Sequence, residues 1–278
     1  MQKYAICLGY LPILNYSGFS DQLHDPQNIF TLVISALKNA RLIDPTLTSK
    51  IRFASRTDRG VGALSQIISL NSKQVPILTE INSYLPESIR ALGIASVSSD
   101  FQPRRDAILR TYSYFLTTSK DFDYPLARKT LAMLMGKHDF RNFAKQDNKK
   151  EKGTFKTIEV AEILPLGNCT YQIRISSKSF LWQMVRRIIG HLIELNNGRC
   201  DSEYTNHLLA SKIVKFKPNA APSENLVLES VHYKDVQFQY DQKSLLTFQN
   251  TLTEQLMTFK AKTALFNFIT THVQEKMS

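Results

Sequence analysis

Ser55-Arg56-Thr57-Asp58-Arg59-Gly60-Val61-Gly62-Ala63-Leu64-Ser65-Gln66-Ile67-Ile68-Ser69-Leu70 is the stretch whose reading decides this chain. A polar loop sets one carboxylate between two arginines and ends at two glycines, residues suited to tight turns. It then feeds a run, 63–70, in which Leu64, Ile68 and Leu70 share one face, as in a β-strand. Loops held by rigid strands are favoured places for catalytic groups. An arginine at salt-bridge distance keeps a carboxylate ionised and aims its oxygens. A turn-capping aspartate beside two solvated arginines fits the same spacing.

Working outward, the N-terminus enters a strand almost at once, which leaves no room for a signal or transit peptide. Asp25-Pro26 reads as a helix start, a capping side chain before a proline in the first turn. Ile29, Phe30, Val33, Leu37 and Ala40 follow at helical spacing to about Arg41. Tyr112 to Leu116 alternates as a strand with Tyr112 and Tyr114 on one face. Tyr124-Pro125 opens a helix that ends near Gly136. The lysine-rich segment 145–156 reads as an exposed loop, and strands resume at 157–164 and 171–176. An apolar stripe through Phe180, Leu181, Met184, Val185, Ile188 and Ile189 predicts a helix over 180–195, with Arg186 and Arg187 on either flank. Periodicity does not say which arginine faces a site. A last strand lies at 226–233, and the tail from Ser244 reads as helical.

Strands and helices are interspersed without the glycine-rich phosphate turn of a dinucleotide fold. That predicts an α+β fold with a mainly antiparallel sheet. The expected division is an N-terminal lobe, 1–105, a C-terminal lobe, 106–235, and a helical extension, 236–278. The net charge of +11 fits a polyanionic partner, an anionic membrane surface or a basic surface with no partner, and nucleic acid is the favoured reading. No apolar run approaches the ~20 residues of a membrane span. Three widely spaced cysteines argue against a disulfide framework and against a zinc site, and fit a reducing, cytoplasmic setting. The histidines lack ligand spacing, so no metal is expected, and His138-Asp139 reads as a local structural pair.

Several motifs stand in order. Besides Ser55 to Gln66 they include Leu85-Pro86-Glu87-Ser88-Ile89-Arg90, Arg110-Thr111-Tyr112-Ser113-Tyr114, Gly136-Lys137-His138-Asp139-Phe140, Lys156-Thr157-Ile158, Phe180-Leu181-Trp182-Gln183-Met184-Val185-Arg186-Arg187-Ile188-Ile189-Gly190, and Ala221-Pro222-Ser223-Glu224-Asn225-Leu226-Val227-Leu228. Together they resemble the tRNA pseudouridine synthase A family over about residues 50–235. The resemblance implies the pseudouridine synthase fold, two ferredoxin-like (RRM-like) lobes flanked by helices. It implies conversion of uridine to pseudouridine in tRNA, in the anticodon stem-loop region, by a homodimer without cofactor. It assigns Asp58, Arg186 and Tyr112 as catalytic. Tyr112, Arg56, Thr57, Arg59, Gln66 and Leu226 are assigned to substrate binding. Ser55 stands where the family has glycine, Gly62 where it has histidine, Arg105 where it has phenylalanine, and the opening motif is reduced to Gly18-Phe19-Ser20. These departures indicate a divergent, archaeal-type branch. The competing reading is a catalytically silent RNA-binding protein on the same scaffold. Retention of Asp58, Tyr112 and Arg186 together favours the enzyme.

Overall fold

Nine residues, Gln2–Tyr10, form β1, whose last seven side chains are all buried. On either side run β3 (Gly62–Ser72) and β4 (Ile89–Val97), both antiparallel to it, with β2 (Arg52–Phe53) on the outer edge of β3. The structure, a computed structural model, describes residues 1–13, 15–21, 25–44, 51–118, 122–145, 153–210 and 212–277. Two helices, α1 (Ile29–Asn39) and α2 (Leu78–Ser83), contribute Phe30, Val33, Leu37 and Ile81 to the core. A short α3 (Pro103–Asp106) leads out of this half.

The second half is built on β5 (Leu109–Thr117), which pairs antiparallel with β8 (Thr170–Ser177) and with β9 (Leu226–His232). Beyond β8 come β7 (Phe155–Gly167) and β6 (Gly136–Asp139). Helices α4 (Tyr124–Met133), α5 (Met184–Asn196) and α6 (Ser202–Leu209) cover this part. A two-residue β10 (Gln239–Tyr240) closes the far edge on β4, and α7 (Gln242–Met277) follows it. The ten strands make one sheet in the order β10-β4-β1-β3-β9-β5-β8-β7-β6, with β2 on β3. The halves join where β9 lies parallel to the start of β3, Gly62 beside Val227 and Ala63 beside Leu228. Every other pairing is antiparallel. The α+β expectation therefore holds.

Three boundaries differ from the sequence reading. Helix α1 is capped by Asn28, whose Oδ1 accepts from Phe30 N at 2.9 Å; Asp25 instead closes the preceding turn by accepting from Gln27 N. Helix α5 starts at Met184, because Gln183 adopts φ +60° and breaks the helix there. Strand β7 begins at Phe155, inside the segment read as a loop, whose residues 146–152 lie outside those described. His138 and Asp139 are structural: His138 bonds Met135 O, and buried Asp139 pairs with Arg141.

Candidate active site

The loop between β2 and β3 is fastened along its length before Asp58 is reached. Gln66 is fully buried and grips Ser55 twice, donating to its carbonyl at 2.6 Å and accepting from its amide at 3.1 Å. Arg110, also buried, donates to Ala54 O at 2.9 Å, to Ser55 Oγ at 3.0 Å and to the carbonyls of Arg104 and Lys178. Burial lowers the Arg110 pKa, so four acceptors share the hydrogen bonds its charge requires. Thr57 exchanges backbone hydrogen bonds with Phe19, and its hydroxyl meets Tyr10 Oη at 2.8 Å. Gly18 makes that approach possible: it has φ +97°, and a Cβ there would lie 2.4 Å from Thr57 O. The reduced opening motif thus retains the one residue whose lack of a side chain the loop needs.

Asp58 emerges from this clamp partly exposed. Its Oδ2 accepts from Arg186 Nη1 at 2.7 Å, and its Oδ1 accepts from Trp182 Nε1 at 3.0 Å. Arg186 is aimed by a second bond, Nε to Ala221 O at 2.7 Å, while Ala221 N returns to Arg186 O at 2.9 Å. The segment carrying Ala221 reaches α5 only because Gly190 has no side chain; a Cβ there would meet Asn219 O at 1.8 Å. Arg187 donates to Pro218 O at 2.6 Å, on the same segment, and not to Asp58. The choice between the two arginines is therefore made by this crossing segment.

Tyr112 sits beside the pair, buried, with its ring edge-on to Phe180 at 5.2 Å. Burial raises its phenol pKa, a bond to Ser55 and the Arg110 charge oppose that rise, and the Asp58 charge adds to it. Ser55, where the family has glycine, thus contributes a hydroxyl shared between Arg110 and Tyr112.

The structure brings Asp58, Arg186 and Tyr112 together. It places Thr57 and Gln66 behind the loop as buried supports and Leu226 inside the sheet, buried at the start of β9. Arg56 and Arg59 are exposed on the rim, and Arg56 forms a salt bridge to exposed Asp21 at 2.8 Å. Trp182 was missed, because a helix over 180–195 treats it as one more residue of a wheel. Its broken-helix position is what swings the indole onto Asp58, with Lys145 Nζ 4.5 Å above the ring. Gly62 packs against Pro12, and a Cβ there would lie 3.0 Å from the proline ring. Among the described residues no cluster of three His, Cys, Asp or Glu offers a metal site, and no helix is long and apolar enough to cross a membrane.

A family profile described as tRNA pseudouridine synthase matches residues 131–234. A tRNA pseudouridine synthase A of Archaeoglobus fulgidus is 31% identical over 263 residues, covering 92% of this chain and 93% of its own. The chain belongs to the tRNA pseudouridine synthase A family. Relatives of the same name from Thermococcus kodakarensis and Pyrococcus horikoshii are 31% and 32% identical, covering 84% and 80% of this chain and 86% and 82% of theirs. The archaeal character expected from the departures is matched by these relatives. Two solved structures are similar more distantly. A chain of an archaeal box H/ACA complex has a TM-score of 0.37 and 11% identity, covering 68% of this chain and 42% of its own. A pseudouridylate synthase has a TM-score of 0.32 and 14% identity, covering 69% and 57%. So distant a likeness says nothing of the site.

Proposed function

We propose that this chain isomerises uridine to pseudouridine in tRNA, with Asp58 as the acting carboxylate. Family membership supports the reaction and the substrate. The observation that supports the residues is the Asp58–Arg186 pair at 2.7 Å, set above a buried tyrosine at the edge of solvent. Arg186 fixes one oxygen of Asp58 and Trp182 the other, which aims the carboxylate at the sugar or the base of a bound nucleotide. The N1–C1′ bond breaks, the base turns, and C5 bonds C1′; the proton on C5 must then leave. Tyr112 Oη, buried and within the influence of the Asp58 charge, is the group we assign to that relay, and burial keeps it a neutral phenol.

A base in a paired stem is out of reach of a loop carboxylate, so the uridine is flipped out, at a cost of a few kcal/mol. Exposed Arg56 and Arg59 beside Asp58 are the groups to occupy the vacated space and hold phosphates. Further cations gather along α5. Lys217 lies close enough to Arg187 and Arg141 that their charges, after burial, lower its pKa. Cations held together this way are a surface built for a polyanion. Thr57, Gln66 and Leu226 act in this reading through the loop and the sheet, as positioning residues. We also propose an anticodon stem-loop target, a homodimer, a cytoplasmic setting, and division into lobes 1–105 and 106–235 with the extension 236–278.

The test is tritium release from transcribed tRNA carrying 5-tritiated uridine. Release by the purified chain is expected, with no hydrolysis of a simple glycoside. Binding of tRNA without release would instead mark a silent RNA-binding protein.

A further inference from the structure

Trp182 stands in the open beside Asp58. Tryptophan is highly buried on average, yet this one is 48% exposed. The backbone is strained to put it there. Gln183 follows it at φ +60°, the left-handed region that a residue with a Cβ rarely adopts, and α5 begins only after that break. Strain of this kind persists only where the surroundings enforce it, and it gathers at functional sites. A second tie fixes the place, since Lys145 N donates to Trp182 O at 3.0 Å. The same lysine folds its ammonium over the indole, 4.5 Å from the ring centroid.

The orientation of the ring decides which nucleotide it can meet. An indole N–H lies in the plane of its ring, and Trp182 Nε1 donates to Asp58 Oδ1 at 3.0 Å. An edge of the indole, not a face, is therefore turned to the carboxylate, and a uridine placed for Asp58 lies beside that edge. Lys145 covers one face. The exposed half of the residue is left to the opposite face and the outer edge. Successive bases of a strand stand about 3.4 Å apart, so that face is within reach of the nucleotide next to the target. Flipping the uridine out strips this neighbour of a stacking partner, and an aromatic side chain replaces it whatever the base. A phosphate joins the two nucleotides, and Lys145 is an exposed cation at that point.

We infer that Trp182 is the platform on which the base adjoining the target uridine stacks, with Lys145 holding the phosphate between them. The platform presupposes Asp58 as the acting carboxylate. It gives the indole a second duty besides the hydrogen bond to Asp58, carried by the ring and not by the N–H. The two duties are separable: Trp182→Phe keeps a ring and loses the N–H, whereas Trp182→Leu loses both.

Steady-state tritium release from tRNA measures them apart. Trp182→Phe should lower kcat and leave KM close to wild type. Trp182→Leu should lower kcat alike and also raise KM by about fivefold or more, the range for losing one base stack. Lys145→Met should raise KM and reduce the slope of log Kd against log salt by about 0.7–0.9, one phosphate's share. On tRNA made abasic at both nucleotides flanking the converted uridine, wild type and Trp182→Leu should share one KM. The exposed side chain lies outside the core, and equal circular dichroism checks that the variants fold. Equal KM values for Trp182→Leu and Trp182→Phe overturn the platform, as does a wild-type advantage in KM that survives on abasic tRNA. Kd for tRNA needs no turnover and keeps the platform distinct from the isomerase reading. A Kd raised by Trp182→Leu but not by Trp182→Phe, with no tritium release from wild type, would sink the isomerase and leave the stacking in place.

Discussion

The loop around Asp58 and the arm of α7 are both ordered, for opposite reasons. Residues 54–61 have no regular structure, yet Gln66, Arg110, Phe19 and Tyr10 hold them by hydrogen bonds from distant parts of the chain. The arm is regular for its whole length and has no tertiary contact beyond its first turns. Preorganised charge chemistry needs the first kind of order, since a carboxylate displaced by an ångström no longer meets its substrate. The contrast predicts that single substitutions near the loop cost catalysis or stability, whereas substitutions along the exposed arm leave both close to wild type.

The contrast breaks most sharply at Arg186. Arg186→Met removes both the partner of Asp58 and the tie to Ala221, and a loss of roughly 10²–10³ in kcat is expected in tritium release, the range for deleting one preorganised charge donor. Retained turnover would mean that the ion pair does not orient Asp58. Gln66→Ala leaves two buried backbone groups of Ser55 unpaired and should lower stability by about 2–3 kcal/mol, read as a fall in urea midpoint. An unchanged midpoint would show that the loop is held without it.

His191 sharpens the same point from inside α5. It is buried against Thr205 at 2.9 Å, and burial holds its pKa at about 4, below its ordinary 6.5. The folded state therefore favours the neutral ring, and the unfolded chain takes up the proton first as pH falls. The stability His191 allows is whole above pH 6.5 and is lost as pH falls toward about 4, by at most ~1.4 kcal/mol per pH unit. His191→Gln should flatten that part of the stability profile, measured by denaturant titration at several pH values.

The smallest effect is expected at Trp182. Trp182→Phe removes one hydrogen bond from a carboxylate that keeps its arginine, a loss of about 1 kcal/mol, or some five- to tenfold in kcat. As the only tryptophan of the chain, its fluorescence should also change when tRNA binds. A constant signal would place RNA elsewhere.

Much of this was legible beforehand, and the exceptions share a cause. The strands around Asp58 and Tyr112 follow local alternation, so they could be read directly. The choice of Arg186 over Arg187 could not, because it is made by the segment at Asn219 crossing Gly190 from far along the chain. Trp182 was hidden for a related reason: the apolar stripe runs on through Phe180 and Leu181, but Gln183 breaks the helix and turns those side chains to the site. The parallel contact of β9 with β3, which joins the halves beside Asp58, leaves no local pattern at all. The motif resemblance supplied Asp58, Arg186 and Tyr112 as a set; it also named Gln66, but as a substrate-binding residue, whereas Gln66 is a buried support of Ser55.

The central claim is that Asp58, paired with Arg186 at 2.7 Å, is the group that acts on uridine. Tritium release by Asp58→Asn tests it most directly, alongside tRNA binding by the same variant. Asparagine keeps the size of the side chain and its one carbonyl oxygen can still accept from Arg186, while the loop is held independently by Gln66 and Arg110, so the loop and the RNA surface should survive. The account predicts release at background with binding close to wild type. Release near the wild-type rate would contradict it.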